Sequence, residues 1–115
     1  MADVQTNRAI TRYADFWPYY LQEHAKPATR NLHYIGTGLT LVNAAAGIIT
    51  GNAWFGLGAL LSGYGFAWVA HFFVEHNRPA TFTYPLWSLV SDFRMAWFRV
   101  TGRLPGELAK AGVGA

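Results

Sequence analysis

Asn31–Val74 reads NLHYIGTGLTLVNAAAGIITGNAWFGLGALLSGYGFAWVAHFFV, 44 residues without one Asp, Glu, Lys or Arg. All nine basic and all six acidic residues of the 115-residue chain lie outside it. A soluble domain this small needs charge over its whole surface, whereas a membrane hairpin does not. Gly51-Asn52 divides the window at a strong turn dipeptide. The two halves, about Leu32–Thr50 and Ala53–Val74, each have about the ~20 residues that a ~30 Å hydrocarbon core requires. Two spans joined by a tight turn are therefore predicted.

The flanks orient this hairpin. Arg8, Arg12, Lys26 and Arg30 precede it, Arg78, Arg94, Arg99, Arg103 and Lys110 follow it, and the turn carries no charge. The positive-inside rule then places both termini in the cytoplasm of a multi-pass protein, in a bacterial inner membrane or the endoplasmic reticulum. Trp54 and Phe55 suit one membrane boundary, and Phe16, Trp17, Tyr19, Tyr20, Tyr84 and Trp87 are expected to form the opposite aromatic belt. Arg8, Arg12 and Asp15 interrupt any signal-peptide design at the N-terminus.

Outside the window, Ile10–His24 is expected to be a helix ending before Pro27. A third apolar region runs from Pro85 to Val100, with Leu86, Leu89, Val90, Phe93, Trp97 and Val100 at helical spacing. It is an amphipathic or re-entrant helix. The Gly- and Ala-rich residues 102–115 read as a loose tail. The whole is one all-α membrane domain with a helical core over about 10–100.

Composition narrows the function. No Cys removes thiolate catalysis, iron–sulfur clusters and disulfides. The net charge of +3 is too small and too scattered for a nucleic-acid surface. Charged residues at 13% with aromatics at 17% oppose disorder.

The four histidines carry the chemistry. His24 lies just upstream of the first span, His33 near its start and His71 and His76 at the end of the second, so a hairpin gathers all four at one membrane surface. His33 shares a helical face with Gly36, Thr40, Ala44 and Gly47, and Ala59, Gly63, Ala67, His71 and Glu75 recur at four-residue steps. Small-residue stripes mark close helix packing, so His33, His71 and Glu75 are expected between the helices. Neutral imidazole suits iron, zinc, copper or nickel. Imidazoles with one or two carboxylates make a ligand shell, and Glu23 is placed to orient one ring. His76 and Glu75 serve one site together only if the helix end is distorted, which Asn77-Arg78-Pro79 can provide. Hydrogen-bonded packing histidines and a bis-imidazole haem electron carrier are the competing readings, and a non-catalytic, partner-binding hairpin is the rival from another class.

Beyond these patterns, Tyr19-Tyr20-Leu21-Gln22-Glu23-His24, Arg30-Asn31-Leu32-His33-Tyr34-Ile35-Gly36-Thr37 and the run from Trp68 to Phe82 resemble the Mpo-like family of small membrane proteins. Tyr84-Pro85-Leu86-Trp87-Ser88-Leu89 and Asp92 extend the resemblance, which covers roughly Phe16 to Met95. It implies an Fe(II)-dependent dioxygenase of fatty acid α-oxidation that uses O2 to shorten a 2-hydroxy long-chain fatty acid by one carbon. His24, His33, His71 and His76 are the family histidines and the implied metal ligands. In that frame Arg30 or Arg78 pairs with the substrate carboxylate, Glu75 is a further ligand or a base, and the acyl chain lies among Trp68, Phe72, Phe73 and the third helix. Membrane lipid is the other partner, with self-association left open.

Overall fold

The computed structural model describes residues 9–114 and is all-helical over them. Helix α1 (Tyr13–Gln22) leads into α2 (Pro27–Thr50) and α3 (Trp54–Val69), which continues as a π-helical turn over Ala70–Glu75. A short 3-10 turn (Ala80–Phe82) precedes α4 (Pro85–Thr101) and α5 (Leu104–Lys110).

Local chemistry sets these boundaries. Pro27 opens α2 and Pro85 opens α4, where a missing N–H costs nothing and a fixed φ helps. Gly51 ends α2 at φ 71°, its N–H donating to the Gly47 carbonyl at 2.9 Å. Asn52 Oδ1 then accepts the Trp54 N–H at 3.0 Å, so the dipeptide Gly51-Asn52 forms the turn by two separate devices.

The hairpin of α2 and α3 is packed backbone to backbone. A Cβ on Gly36 would lie 2.9 Å from the Ser62 carbonyl oxygen and 3.0 Å from Phe66 Cβ, and one on Gly63 would lie 3.0 Å from Thr40 Oγ1. Thr40 Oγ1 also donates across the seam to the Ala59 carbonyl at 2.9 Å. Both helices are long and apolar enough to cross a membrane, and only 11% and 17% of their most apolar windows are buried within the protein. The apolar surface therefore faces outward, to Ile48 at 84% exposed and Ile49 at 83%.

At the end away from the turn, α1, α4 and α5 form a head around Phe16, Trp17, Tyr20, Leu21, Met95, Leu104 and Leu108. Several expectations change here. Phe16, Trp17 and Tyr20 are core residues and not a boundary belt, because their rings stack on one another and on Tyr84, Trp87 and Phe98. The first span begins at Pro27, one turn ahead of Leu32, and α1 covers only Tyr13–Gln22 of the expected Ile10–His24.

The tail is ordered as α5. Leu104, Leu108 and Ala111 recur at helical spacing and are buried, while Trp17 Nε1 donates to Glu107 Oε1 at 2.8 Å and Gln22 Nε2 to the Ala111 carbonyl at 3.0 Å. Helix α4 reverses the usual amphipathic arrangement. Its apolar stripe from Leu86 to Val100 points outward, and Ser88, Ser91 and Met95 are buried.

Candidate metal centre

Three histidines from three segments converge at the junction of hairpin and head. His24 follows α1, His33 lies on the second turn of α2, and His71 lies where α3 widens into the π-helical turn. His24 Nε2 is 3.1 Å from His33 Nε2 and 3.0 Å from His71 Nε2. All three are buried, and they are the group of His, Asp and Glu that the described residues bring within reach of a single ion.

The other ring nitrogens fix the chemistry. His24 Nδ1 is 2.6 Å from the Tyr20 carbonyl and His33 Nδ1 is 3.0 Å from the Thr29 carbonyl. A carbonyl oxygen only accepts, so both Nδ1 atoms carry the proton. His71 Nδ1 lies 2.7 Å from Asn77 Oδ1. Asn77 Nδ2 donates to the Glu23 carbonyl at 3.0 Å and to Glu23 Oε1 at 3.2 Å, which leaves Oδ1 as the acceptor and His71 Nδ1 as the donor. Each Nε2 therefore turns a bare lone pair toward the other two. Lone pairs at this separation repel unless a cation lies among them. Two nitrogens bound to one ion at ~2.0–2.1 Å lie no more than ~4.2 Å apart, a limit that His24 meets with both His33 and His71. Burial and the neighbouring His33 and His71 also hold the His24 ring well below the usual imidazole range, in the neutral form that ligates.

Of the other expected site residues, none joins the three rings. His76 is exposed and closes the π-helical turn in the left-handed region at φ 61°, which carries its side chain away. Glu75 does not join the three rings. Its Oε1 instead accepts from Thr29 Oγ1 at 2.7 Å and from the Lys26 N–H at 3.0 Å, joining the end of the second span to the start of the first. Arg30 is buried beneath the α1–α2 turn, its Nη1 donating to the carbonyls of His24 at 2.8 Å and Ala25 at 2.9 Å. Arg78 is exposed, with its guanidinium 5.3 Å from the Phe82 ring centroid. Asn77 was anticipated only as part of a helix end. Glu23 acts on His71 through it, and burial, then Glu75, raises the Glu23 carboxyl above its ordinary range.

A half-open cavity of about 180 Å³ extends from the three rings along α3 as far as Gly56. Fifteen residues of helix separate Gly56 from His71, ~22 Å at 1.5 Å per residue. Leu60, Tyr64, Ala67 and Leu89 make much of its wall apolar, with Ser88 and Asp92 on the same lining. Trp68, Phe72 and Phe73 are not on it and face outward. Tyr20 donates to Asp92 Oδ1, and burial raises the Asp92 carboxyl to about 7.

A family model described as 2-hydroxy-palmitic acid dioxygenase Mpo1-like matches residues 10–104. No curated protein and no solved structure matches the chain.

Proposed function

The chain belongs to the Mpo1-like family, and on that premise we propose that it is an Fe(II)-dependent membrane dioxygenase that shortens 2-hydroxy long-chain fatty acids by one carbon with O2. The observation that carries the reading is the convergence of three Nε2 lone pairs at one end of an apolar cavity. His24, His33 and His71 hold the metal, and the fourth family histidine, His76, stays outside. Iron held by these three rings would supply the oxygen chemistry beside the oxygenated head of the acid.

The chain's own residues supply the geometry. Tyr20, Thr29 and Asn77 fix the tautomer and the aim of each ring. Arg30 holds the backbone at His24, so its part is to position a ligand and not to grip the substrate carboxylate. The cavity along α3 takes the acyl chain, and its open side lets the tail run into lipid. With α2 and α3 spanning the bilayer and both termini in the cytoplasm, the reacting carbons of a membrane-borne acid reach the metal without extraction of the lipid. Holding substrate and metal in one geometry accounts for a large part of the rate.

A haem carrier is disfavoured because imidazole nitrogens 3.0–3.1 Å apart do not lie on opposite faces of a macrocycle. The test is metal analysis of protein purified without chelators, together with oxygen uptake on 2-hydroxypalmitate and on palmitate. Near-stoichiometric iron and uptake on the hydroxy acid alone are expected. Metal-free protein, or turnover unchanged in His33→Ala, overturns the reading.

A further inference from the structure

Ser88 has no structural role that explains its burial. It lies on the first turn of α4, is 2% exposed and lines the cavity that ends at the three histidines. Its Oγ is buried and has no hydrogen-bond partner among the described residues. A helical serine ordinarily satisfies itself on the carbonyl four residues back. Here the Tyr84 carbonyl takes the Ser88 N–H at 2.9 Å, and the hydroxyl does not join it. Ser91, on the next turn and equally buried, shows the ordinary solution: its Oγ shares a hydrogen bond with the Tyr13 hydroxyl at 2.9 Å. An orphaned buried hydroxyl costs stability until a partner arrives.

Asp92 lies one helical turn beyond Ser88 and lines the same cavity. Tyr20 donates to its Oδ1, and the Tyr20 carbonyl in turn holds the His24 ring. Burial keeps much of the Asp92 carboxyl uncharged near neutral pH, so it does not repel an acid bound beside it. On α4 the cavity lining is thus polar at Ser88 and Asp92, one turn apart, and apolar at Leu89 between them.

Resting on the function proposed above, we infer that Ser88 selects the head group of the substrate: its hydroxyl bonds the head-group oxygen that the metal leaves free, and Asp92 completes the polar wall. The ligand class is a 2-oxygenated carboxylic acid with a long apolar tail. An acid without the 2-oxygen binds more weakly, because it cannot engage the metal and this wall together.

The test uses iron-loaded full-length protein in micelles. Binding of 2-hydroxypalmitate under argon is followed by tryptophan fluorescence, and KM and kcat are measured in air. Ser88→Ala is expected to bind the hydroxy acid about tenfold more weakly, with KM raised by a similar factor and kcat within about twofold. Iron content stays unchanged, and the ligand-free Tm is equal or higher, since the change removes an unsatisfied hydroxyl. Ser88→Cys, similar in shape but a weak donor, falls between. Unchanged affinity in Ser88→Ala, with wild type active, overturns the inference and leaves the proposed function standing. A lower ligand-free Tm in Ser88→Ala also overturns it, by revealing a structural partner. Wild type that neither binds nor oxidises 2-hydroxypalmitate overturns both.

Discussion

The two ends of the α2–α3 hairpin are built on different principles. At the turn end, Ile48, Ile49 and Trp54 point away from the protein, and helix contact rests on glycine and a few small side chains. At the histidine end, α1, α4 and α5 close over the helices, and buried and half-buried polar groups pair in chains: Glu23 to Asn77 to His71, Tyr20 to His24, Thr29 to His33. The surrounding medium covers the first end, while the protein itself excludes it from the second. Chemistry belongs at the second, where each ring has a fixed proton and a fixed direction.

Substitutions can break this contrast, beginning with the largest effect. His71→Ala leaves two imidazoles; iron measured after gel filtration should fall below a tenth of wild type and turnover at least a thousandfold, with helical content retained. Asn77→Ala frees the His71 ring without removing it, so metal affinity, read by competition with a chelator, should fall ~10–100-fold. Leu108→Ala opens a hole in the head core and should cost ~2–3 kcal/mol of unfolding free energy, seen as a lower Tm in detergent. At the turn end, Ile49→Ala should change the unfolding free energy by less than ~0.5 kcal/mol, because its side chain touches little protein. A comparable loss at both ends would erase the distinction.

A pH measurement sharpens it. Burial raises Asp92 from 3.8 to about 7. The folded state then binds a proton that the unfolded chain has already released. The contribution of Asp92 to stability is fully present below pH 3.8 and is lost as pH rises through 7. Asp92→Asn keeps a neutral acceptor for Tyr20 and should flatten that decline, read as the change in Tm between pH 5 and pH 8. An unchanged slope would place the titration elsewhere.

Much of this was legible from residue order. The missing charges between Arg30 and Glu75 gave the hairpin, and the four-residue recurrence of Gly63, Ala67 and His71 gave its inner face. Gathering His24, His33 and His71 followed from topology alone. Asn77 escaped because an amide orienting an imidazole has no spacing signature. Glu75 is held by Thr29 and the Lys26 N–H, and the helix end at His76 distorts through the left-handed region away from the rings; residue spacing announces neither. The tail was read by its Gly and Ala content, although Leu104, Leu108 and Ala111 carried the spacing of a packed face. The aromatics before Pro27 looked like a boundary belt because ring-rich sequence is common to belts and to small cores, and only tertiary contact separates the two.

Because one imidazole comes from outside the hairpin, the order of assembly matters. Pairing of α2 with α3 brings together His33 and His71 alone, and the third donor arrives only when α1 folds back over them. Until α1 is seated the cluster is one donor short, so docking of the N-terminal helix and completion of the three-histidine site are a single event.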